Sequence, residues 1–173
     1  KRPGLPAIHR RARASSSSEA ARDHGTPTAG GYNPSMSFRP DVTVAALIEQ
    51  DGRFLVVQER AARRVVFNQP AGHLENGESL LQAVVRETLE ETGHAFVPEA
   101  LTGVYLWRSP ADRTFLRVAF SGQVLERVNG ARLDRAIIRT VWLTRAELER
   151  RREELRSPLV LRDARLTGYV QDI

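Results

Sequence analysis

The stretch from residue 72 to residue 94 constrains the fold more than any other, because it combines a glycine-containing loop with a run of helical period. Apolar residues recur there at steps of three and four, which predicts an amphipathic helix with one face in a core: Leu80, Leu81, Val84, Val85 and Leu89. Gly93 follows the run and is a natural helix stop. The stretch therefore predicts a loop, a helix and a second loop.

The polar side of this predicted helix contains three carboxylates close together: Glu87, Glu90 and Glu91. Each like-charge pair at this spacing costs roughly 0.2–0.5 kcal/mol on a solvated helix, unless a cation gathers the carboxylates. Mg²⁺ and Mn²⁺ prefer oxygen ligands, and Mg²⁺ usually leaves positions for water and substrate phosphate. The alternative is a solvated helix face on which Arg86 and Glu90 form an ion pair.

The wider spacing favours the metal site over the solvated face. Gly72, Glu78, Arg86-Glu87, Glu90-Glu91 and Gly93 form the pattern G-x5-E-x7-R-E-x-x-E-E-x-G. Such a pattern arises by chance in a chain of this length with a probability on the order of 10⁻⁶. It resembles the Nudix box, and the resemblance implies a Nudix hydrolase, an enzyme that cleaves phosphoanhydrides.

The resemblance also implies roles for residues of the box. The metal ligands would be Glu87 and Glu91, with Glu90 in some metal states and a backbone carbonyl at Gly72 or Ala71 as a further oxygen. Mg²⁺ is the implied cofactor and Mn²⁺ its alternative.

A second group of residues has implied catalytic roles: Glu87 and Glu90 as catalytic carboxylates, and Arg86 and Glu78 as the ion pair that holds the box together. Glu87 would orient or deprotonate the attacking water, and Asp134 is a candidate base outside the box. Thr88 and His94 occupy positions where the family usually has bulky aliphatic residues, so we expect altered local packing there.

A narrower resemblance covers nearly all of the chain after Met36, and its most specific string is Asn-Gln-Pro-Ala-Gly-His at 68–73. It is similar to the bacterial NudJ-type phosphatases, which implies hydrolysis of nucleoside tri- and diphosphates and thiamine-type diphosphates with release of orthophosphate. One alternative is a house-cleaning pyrophosphohydrolase that converts an NTP to NMP and pyrophosphate. An alternative from another class is a basic RNA-binding module on a Nudix scaffold.

Four residues near the box are predicted to contact substrate: His73, Asn68, Trp107 and Arg108. The sequence is equally compatible with two other roles. Asn68 could bond to backbone groups at a strand end, and Trp107 could pack in the core. Core packing is favoured for Tyr105, Phe67 and Trp142. Arg113 and Arg117, like Arg108, are possible phosphate contacts, but because arginine is so common in this chain a solvated face is favoured for any single one of the three.

The rest of the chain after residue 38 alternates β-rich runs with turn residues. Runs at 41–49 and 53–59, parted by Gln50-Asp51-Gly52, predict a hairpin. Further strands are predicted at 64–69, 103–109, 114–124 and 139–143. Thr144 and Glu147 form a capping box for a helix over 145–155, and Pro158 begins a last short helix. The predicted class is α+β, or an α/β/α sandwich around a mixed sheet.

Charge and composition limit the function classes. The net charge is +5, but residues 1–37 contain six basic and two acidic residues, which leaves the remainder close to neutral. That tail is rich in Ser and Pro, so we expect disorder over 1–37, a native start at Met36, and one Nudix domain over 38–173. An organelle transit peptide is the alternative for the tail.

The same composition sets our expectations for chemistry and partners. With no cysteine, thiolate metal sites and thiol nucleophiles are excluded. No apolar run approaches the ~20 residues of a membrane span, so a soluble, cytoplasmic protein is expected. The expected partner is a small-molecule phosphate substrate, with neither membrane nor nucleic acid, and the expected assembly is a monomer or homodimer.

Overall fold

The computed structural model describes residues 38–61 and 63–164 of the 173-residue chain. The predicted tail over 1–37 and the last residues of the predicted domain, 165–173, lie outside the described residues. The described strands are β1 (Asp41–Gln50), β2 (Arg53–Ala61), β3 (Arg64–Asn68), β4 (Ala71–His73), β5 (His94–Arg108), β6 (Thr114–Arg127) and β7 (Ile137–Thr144). The described helices are α1 (Leu80–Thr92), α2 (Arg145–Arg150) and α3 (Leu159–Asp163), with a 3₁₀ turn at Arg152–Glu154.

Strands β1 and β2 form the predicted hairpin. Asp51 and Gly52 both have positive φ, of 50° and 72°, as a two-residue hairpin turn requires. The hairpin pairs Gln50 with Arg53 and Glu49 with Phe54, and beyond these pairs the two strands diverge. β4 then pairs with β1, and β3 pairs with β2. This divergence opens a cleft inside the sheet.

The sheet is mixed, as predicted. β1 runs parallel to β6, whereas the other described strand pairs are antiparallel. α1 covers one face, where Val84 packs with Val44 and Val118. α2 and α3 cover the other face, where Leu148 and Val160 pack with residues such as Val56 and Phe67. The α/β/α sandwich is therefore confirmed, and the predicted core position of Phe67 agrees with its exposure of 4%.

Helix α1 ends at Gly93, as predicted, and the structure shows that it begins with a capping box at Ser79. Ser79 accepts a hydrogen bond from the backbone of Gln82, whose side chain accepts one from the backbone of Ser79, and Gly93 ends the helix with a φ of 74°. The prediction that Leu81 faces the core is wrong, because it is 51% exposed. Thr88 is fully buried and donates its hydroxyl to the Val84 carbonyl at 2.7 Å, which satisfies its polar group.

The three largest differences between the predicted and the observed elements concern β4, β5 and α2. The loop predicted around Gly72 contains strand β4, because Ala71–His73 pairs with β1. β5 begins at His94, directly after α1, and not at residue 103. α2 ends at Arg150, well short of residue 155, and the chain continues as the 3₁₀ turn.

Leu148 offers a test of the packing of α2 on the sheet. It is 1% exposed within the second core cluster, so Leu148→Ala should lower the free energy of unfolding by roughly 2–5 kcal/mol. Leu106→Ala is the control, because Leu106 is 64% exposed on β5. Urea unfolding of both variants measures the difference, and equal losses would contradict this packing.

None of the helices in residues 38–61 and 63–164 combines the length and apolar character needed to cross a membrane.

Candidate active site

A cavity of about 430 Å³ lies beside α1 and extends into the cleft between the diverging strands. One part of its lining, here called the helix lining, consists of Glu87, Glu90 and Glu91 from α1. The other part, the strand lining, comes from β1, β2, β3, β5 and β6: Thr43, Glu59, Asn68, Trp107, Phe115 and Arg117. The carboxylates that sequence spacing placed on one side of α1 therefore face a cavity that Gly72 also lines.

Arg86 holds the acidic residues of the box in place. Its Nε and Nη2 donate to the two carboxylate oxygens of Glu78, at 3.0 and 2.6 Å. Its Nη1 donates to Glu87 at 2.8 Å and to Glu90 at 3.2 Å, and Nη2 also reaches the His73 carbonyl at 3.1 Å. A forked contact of this kind fixes orientation as well as charge. The hydrogen bond from Arg86 lowers the pKa of Glu78, and the same contact raises the pKa of Arg86.

Glu87 and Gly72 approach each other closely. A Cβ atom at Gly72 would lie 2.1 Å from the carboxylate carbon of Glu87, closer than any real Cβ contact. A larger residue at position 72 would therefore require the Glu87 carboxylate to move from this position. Burial raises the pKa of Glu87, and the hydrogen bond from Arg86 opposes that rise.

Glu91 is the most buried carboxylate of the helix lining, with 8% exposure. Its Oε2 accepts a hydrogen bond from the backbone N–H of Ala71 at 2.8 Å, which ties α1 to β4. Burial raises the pKa of Glu91 to about 8, and the charges of Glu59 and Glu87 add to the rise. A buried carboxylate among other acids is a site at which a bound cation is stabilising.

The donor set around the cavity fits a hard divalent cation. The cavity lining contains three arginines and twice as many acidic residues. Each acidic side chain offers oxygen atoms, the ligands that Mg²⁺ and Mn²⁺ prefer. The acidic residues are Glu59, Glu75, Glu87, Glu90, Glu91 and Asp134. In the described residues, no three acidic or histidine side chains yet converge on one point, and Arg86 binds an oxygen of both Glu87 and Glu90. Gly72 has no Cβ, and the space that a Cβ would occupy contains the Glu87 carboxylate.

The predicted substrate contacts separate into two groups. His73, Asn68 and Trp107 line the cavity, and Trp107 stacks on Phe115 with 5.7 Å between ring centroids. Arg108 does not line it, because alternate residues of β5 point to opposite faces, and its 72% exposed side chain pairs with Asp112. Arg113 also points to the surface, where it pairs with Asp41 at 2.9 Å.

The solvated face predicted for Arg117 is wrong. Arg117 is 6% exposed, lines the cavity, and donates from Nη2 to Oε1 of Gln69 at 2.7 Å. Its neighbours Thr43 on β1 and Tyr105 on β5 are its cross-strand partners, which places Arg117 in the middle of the sheet. The signal for this burial is its position between apolar residues of a central strand.

Sequence analysis also missed Glu59, Phe115 and Ser157 as parts of the lining. Glu59 is 9% exposed and Ser157 is 5% exposed. Polar side chains are seldom buried to this extent, so their burial beside a cavity marks them as candidates for a functional role. Asp134, the candidate outside the box, lines the cavity together with Ala136. The backbone N–H of Asp134 donates to the Glu90 carbonyl at 2.8 Å, which fixes this loop to α1.

Comparison with known proteins agrees with this geometry. The model of the NUDIX domain family matches residues 37–164. Phosphatase NudJ of Escherichia coli strain K12 and that of Shigella sonnei strain Ss046 are each 37% identical over 128 residues, covering 74% of this chain and 83% of theirs. The solved structure of a NUDIX hydrolase from Nitrosomonas europaea has 45% identity and a TM-score of 0.72, covering 75% of this chain and 89% of that one.

The chain belongs to the Nudix family, as its motif predicted. It is a hydrolase of the phosphoanhydride-cleaving Nudix type, and it resembles the NudJ phosphatases.

Proposed function

We propose that this protein hydrolyses diphosphate-containing small molecules in a Mg²⁺-dependent reaction, with Mn²⁺ as the alternative ion, and releases orthophosphate. The substrates we propose are nucleoside tri- and diphosphates and thiamine-type diphosphates. The supporting observation is that Glu87 and Glu91 face one cavity beside Gly72, with an excess of acidic oxygens around them. Support for a phosphatase comes from the name of the NudJ relatives.

The roles proposed for the helix lining follow from its contacts. Glu87 and Glu91 would hold the ion, with Glu90 and a backbone oxygen near Gly72 as further donors. A divalent ion, when bound, supplies Lewis acidity that neutralises a diphosphate and increases the acidity of water. Arg86 and Glu78 are positioning residues, since their forked ion pair fixes the orientation of Glu87.

Glu87 is the proposed general base. Its carboxylate is largely buried, with 13% exposure, and burial raises its pKa above the ordinary value, which makes it a better proton acceptor. Glu90 is half exposed and would assist as a second carboxylate, and Asp134 remains a candidate on the adjoining loop.

The proposed substrate contacts are those of the strand lining and of β4. The stacked pair Trp107 and Phe115 offers an aromatic surface for a heterocyclic group. Asn68 is 7% exposed, and its Oδ1 has no hydrogen-bond partner in the described part of the chain, so it can accept from a substrate N–H. His73 is exposed at the rim and can contact phosphate.

The experiment that tests this function is a substrate panel scored separately for orthophosphate and pyrophosphate. CTP, ATP, the matching diphosphates and thiamine diphosphate are incubated with enzyme and Mg²⁺, and a parallel series with chelator defines the metal-dependent part. We expect metal-dependent orthophosphate from the diphosphates. Pyrophosphate and NMP from NTPs alone, with intact diphosphates, would contradict the proposal and favour a pyrophosphohydrolase.

A further inference from the structure

Glu59 is a buried carboxylate in a central strand, outside the Nudix motif. It is 9% exposed on β2, between Val66 of β3 and Ile137 of β7. A carboxylate buried in this way lowers stability unless a cation or several hydrogen bonds compensate its charge. Each of the two carboxylate oxygens of Glu59 therefore needs a hydrogen bond or a nearby cation.

The described protein groups account for only one of these oxygens. Oε2 of Glu59 lies 3.6 Å from Nη1 of Arg156, whose side chain is 48% exposed. Oε1 is buried and has no hydrogen-bond partner within residues 38–61 and 63–164. An exposed arginine on one side leaves the buried oxygen of Glu59 uncompensated.

Arg117 is a buried cation in the same cavity lining as Glu59, but its side-chain hydrogen bond goes to Gln69 and the charge of Glu59 is the weakest of the named influences on its pKa. Its Nη2 donates to Gln69, and after burial the largest influence on the pKa of Arg117 is the charge of Asp163. It forms no ion pair with Glu59 in the part of the chain that the structure describes. Asp163 is fully buried beside it, so the guanidinium already has an acidic neighbour.

Glu59 lies on the same cavity as the carboxylates of the Nudix motif. Glu59 lines the same cavity as Glu87 and Glu91. The pairing of β2 with β7 shifts register between Gln58 and Glu59, and such bulges change the direction in which a strand residue points.

We propose that Glu59 is a ligand for a divalent metal ion, and that it acts from the strand lining together with Glu91 of the helix lining. The inference rests on the metal-dependent hydrolysis proposed above, and it adds a donor that the motif does not contain. The buried, unpartnered Oε1 is a hard oxygen of the type that Mg²⁺ and Mn²⁺ bind.

The test is a titration of the metal-free, full-length protein with Mn²⁺. Binding is measured by calorimetry and, independently, by the electron paramagnetic resonance signal of free Mn²⁺. Glu59→Gln keeps the shape of the side chain and removes its charge, so we expect at least a tenfold loss of Mn²⁺ affinity, or the loss of one bound ion. Glu126→Gln is the matched control on exposed β6 and should bind Mn²⁺ like the parent protein.

Two further variants separate this proposal from its alternatives. If Glu59 served only as the partner of Arg156, then Glu59→Gln and Arg156→Gln would lower the melting temperature equally and leave Mn²⁺ affinity unchanged, which overturns the proposal. Unchanged affinity in Glu59→Gln together with weakened affinity in Glu91→Gln overturns it as well, but leaves the proposed function intact. A parent protein that binds no Mn²⁺ contradicts both. If Glu59→Gln does not fold, Glu59→Asp is titrated against the same criteria.

Discussion

Glu87→Gln is expected to lower kcat at least about a hundredfold while the protein stays folded. The substitution removes a charged oxygen from the cavity and with it the proposed base, and such losses typically cost two or more orders of magnitude. The side chain keeps its size beside Gly72, so the packing there should not change. Steady-state hydrolysis with saturating Mg²⁺ measures the effect, and circular dichroism reports the fold.

The control for this variant is Glu126→Gln, which makes the same chemical change on an exposed part of β6. It should retain the parent kcat and melting temperature. If Glu87→Gln turned over substrate at the parent rate, the role proposed for the helix lining would be excluded.

Gly72→Ala is expected to lower kcat by about a hundredfold through one added methyl group. The new Cβ would stand 2.1–2.2 Å from the carboxylate atoms of Glu87 and would force that side chain out of position. A displacement of about 1 Å at a reacting group can cost about a hundredfold in rate. The measurement is kcat with saturating Mg²⁺, together with the melting temperature.

A double-mutant cycle identifies the cause of that loss. If the contact with Glu87 is responsible, Gly72→Ala should lower the melting temperature of the parent protein but not that of the Glu87→Ala variant, where the carboxylate is absent. An equal loss of stability in both backgrounds would instead assign the effect to the backbone of β4.

Local signals predicted the parts of the fold that depend on neighbours in sequence. The hairpin turn needs positive φ at Asp51 and Gly52, and α1 needs a stop at Gly93, so short-range chemistry determines these boundaries. Leu81 was misassigned because a leucine at helical spacing need not meet a neighbouring element. The start of β5 at His94 was missed, since Pro98 and Glu99 are weak strand formers and the pairing with β6 determines the strand.

The site residues also divide into those that local sequence predicts and those that depend on strand pairing. The carboxylates of α1 could be predicted because residues three and four apart share one side of a helix. Glu59 and Arg117 could not be placed, since their burial depends on which strands pair and in which register. Arginine is common in this chain, and although Arg117 lies between two apolar residues, only the pairing of β6 shows that it is buried, whereas Arg108 pairs with Asp112 on the surface.

The divergence of β1 and β2 has an evolutionary consequence. The helix lining comes from one contiguous motif, whereas the strand lining, which includes Glu59 and the stacked pair Trp107 and Phe115, is assembled from several separate strands. Point substitutions on those strands can change which molecules are accepted while the motif, and the backbone that supports it, stays as it is. A family with this construction can acquire new substrates through a few side-chain replacements, without inventing its chemistry again.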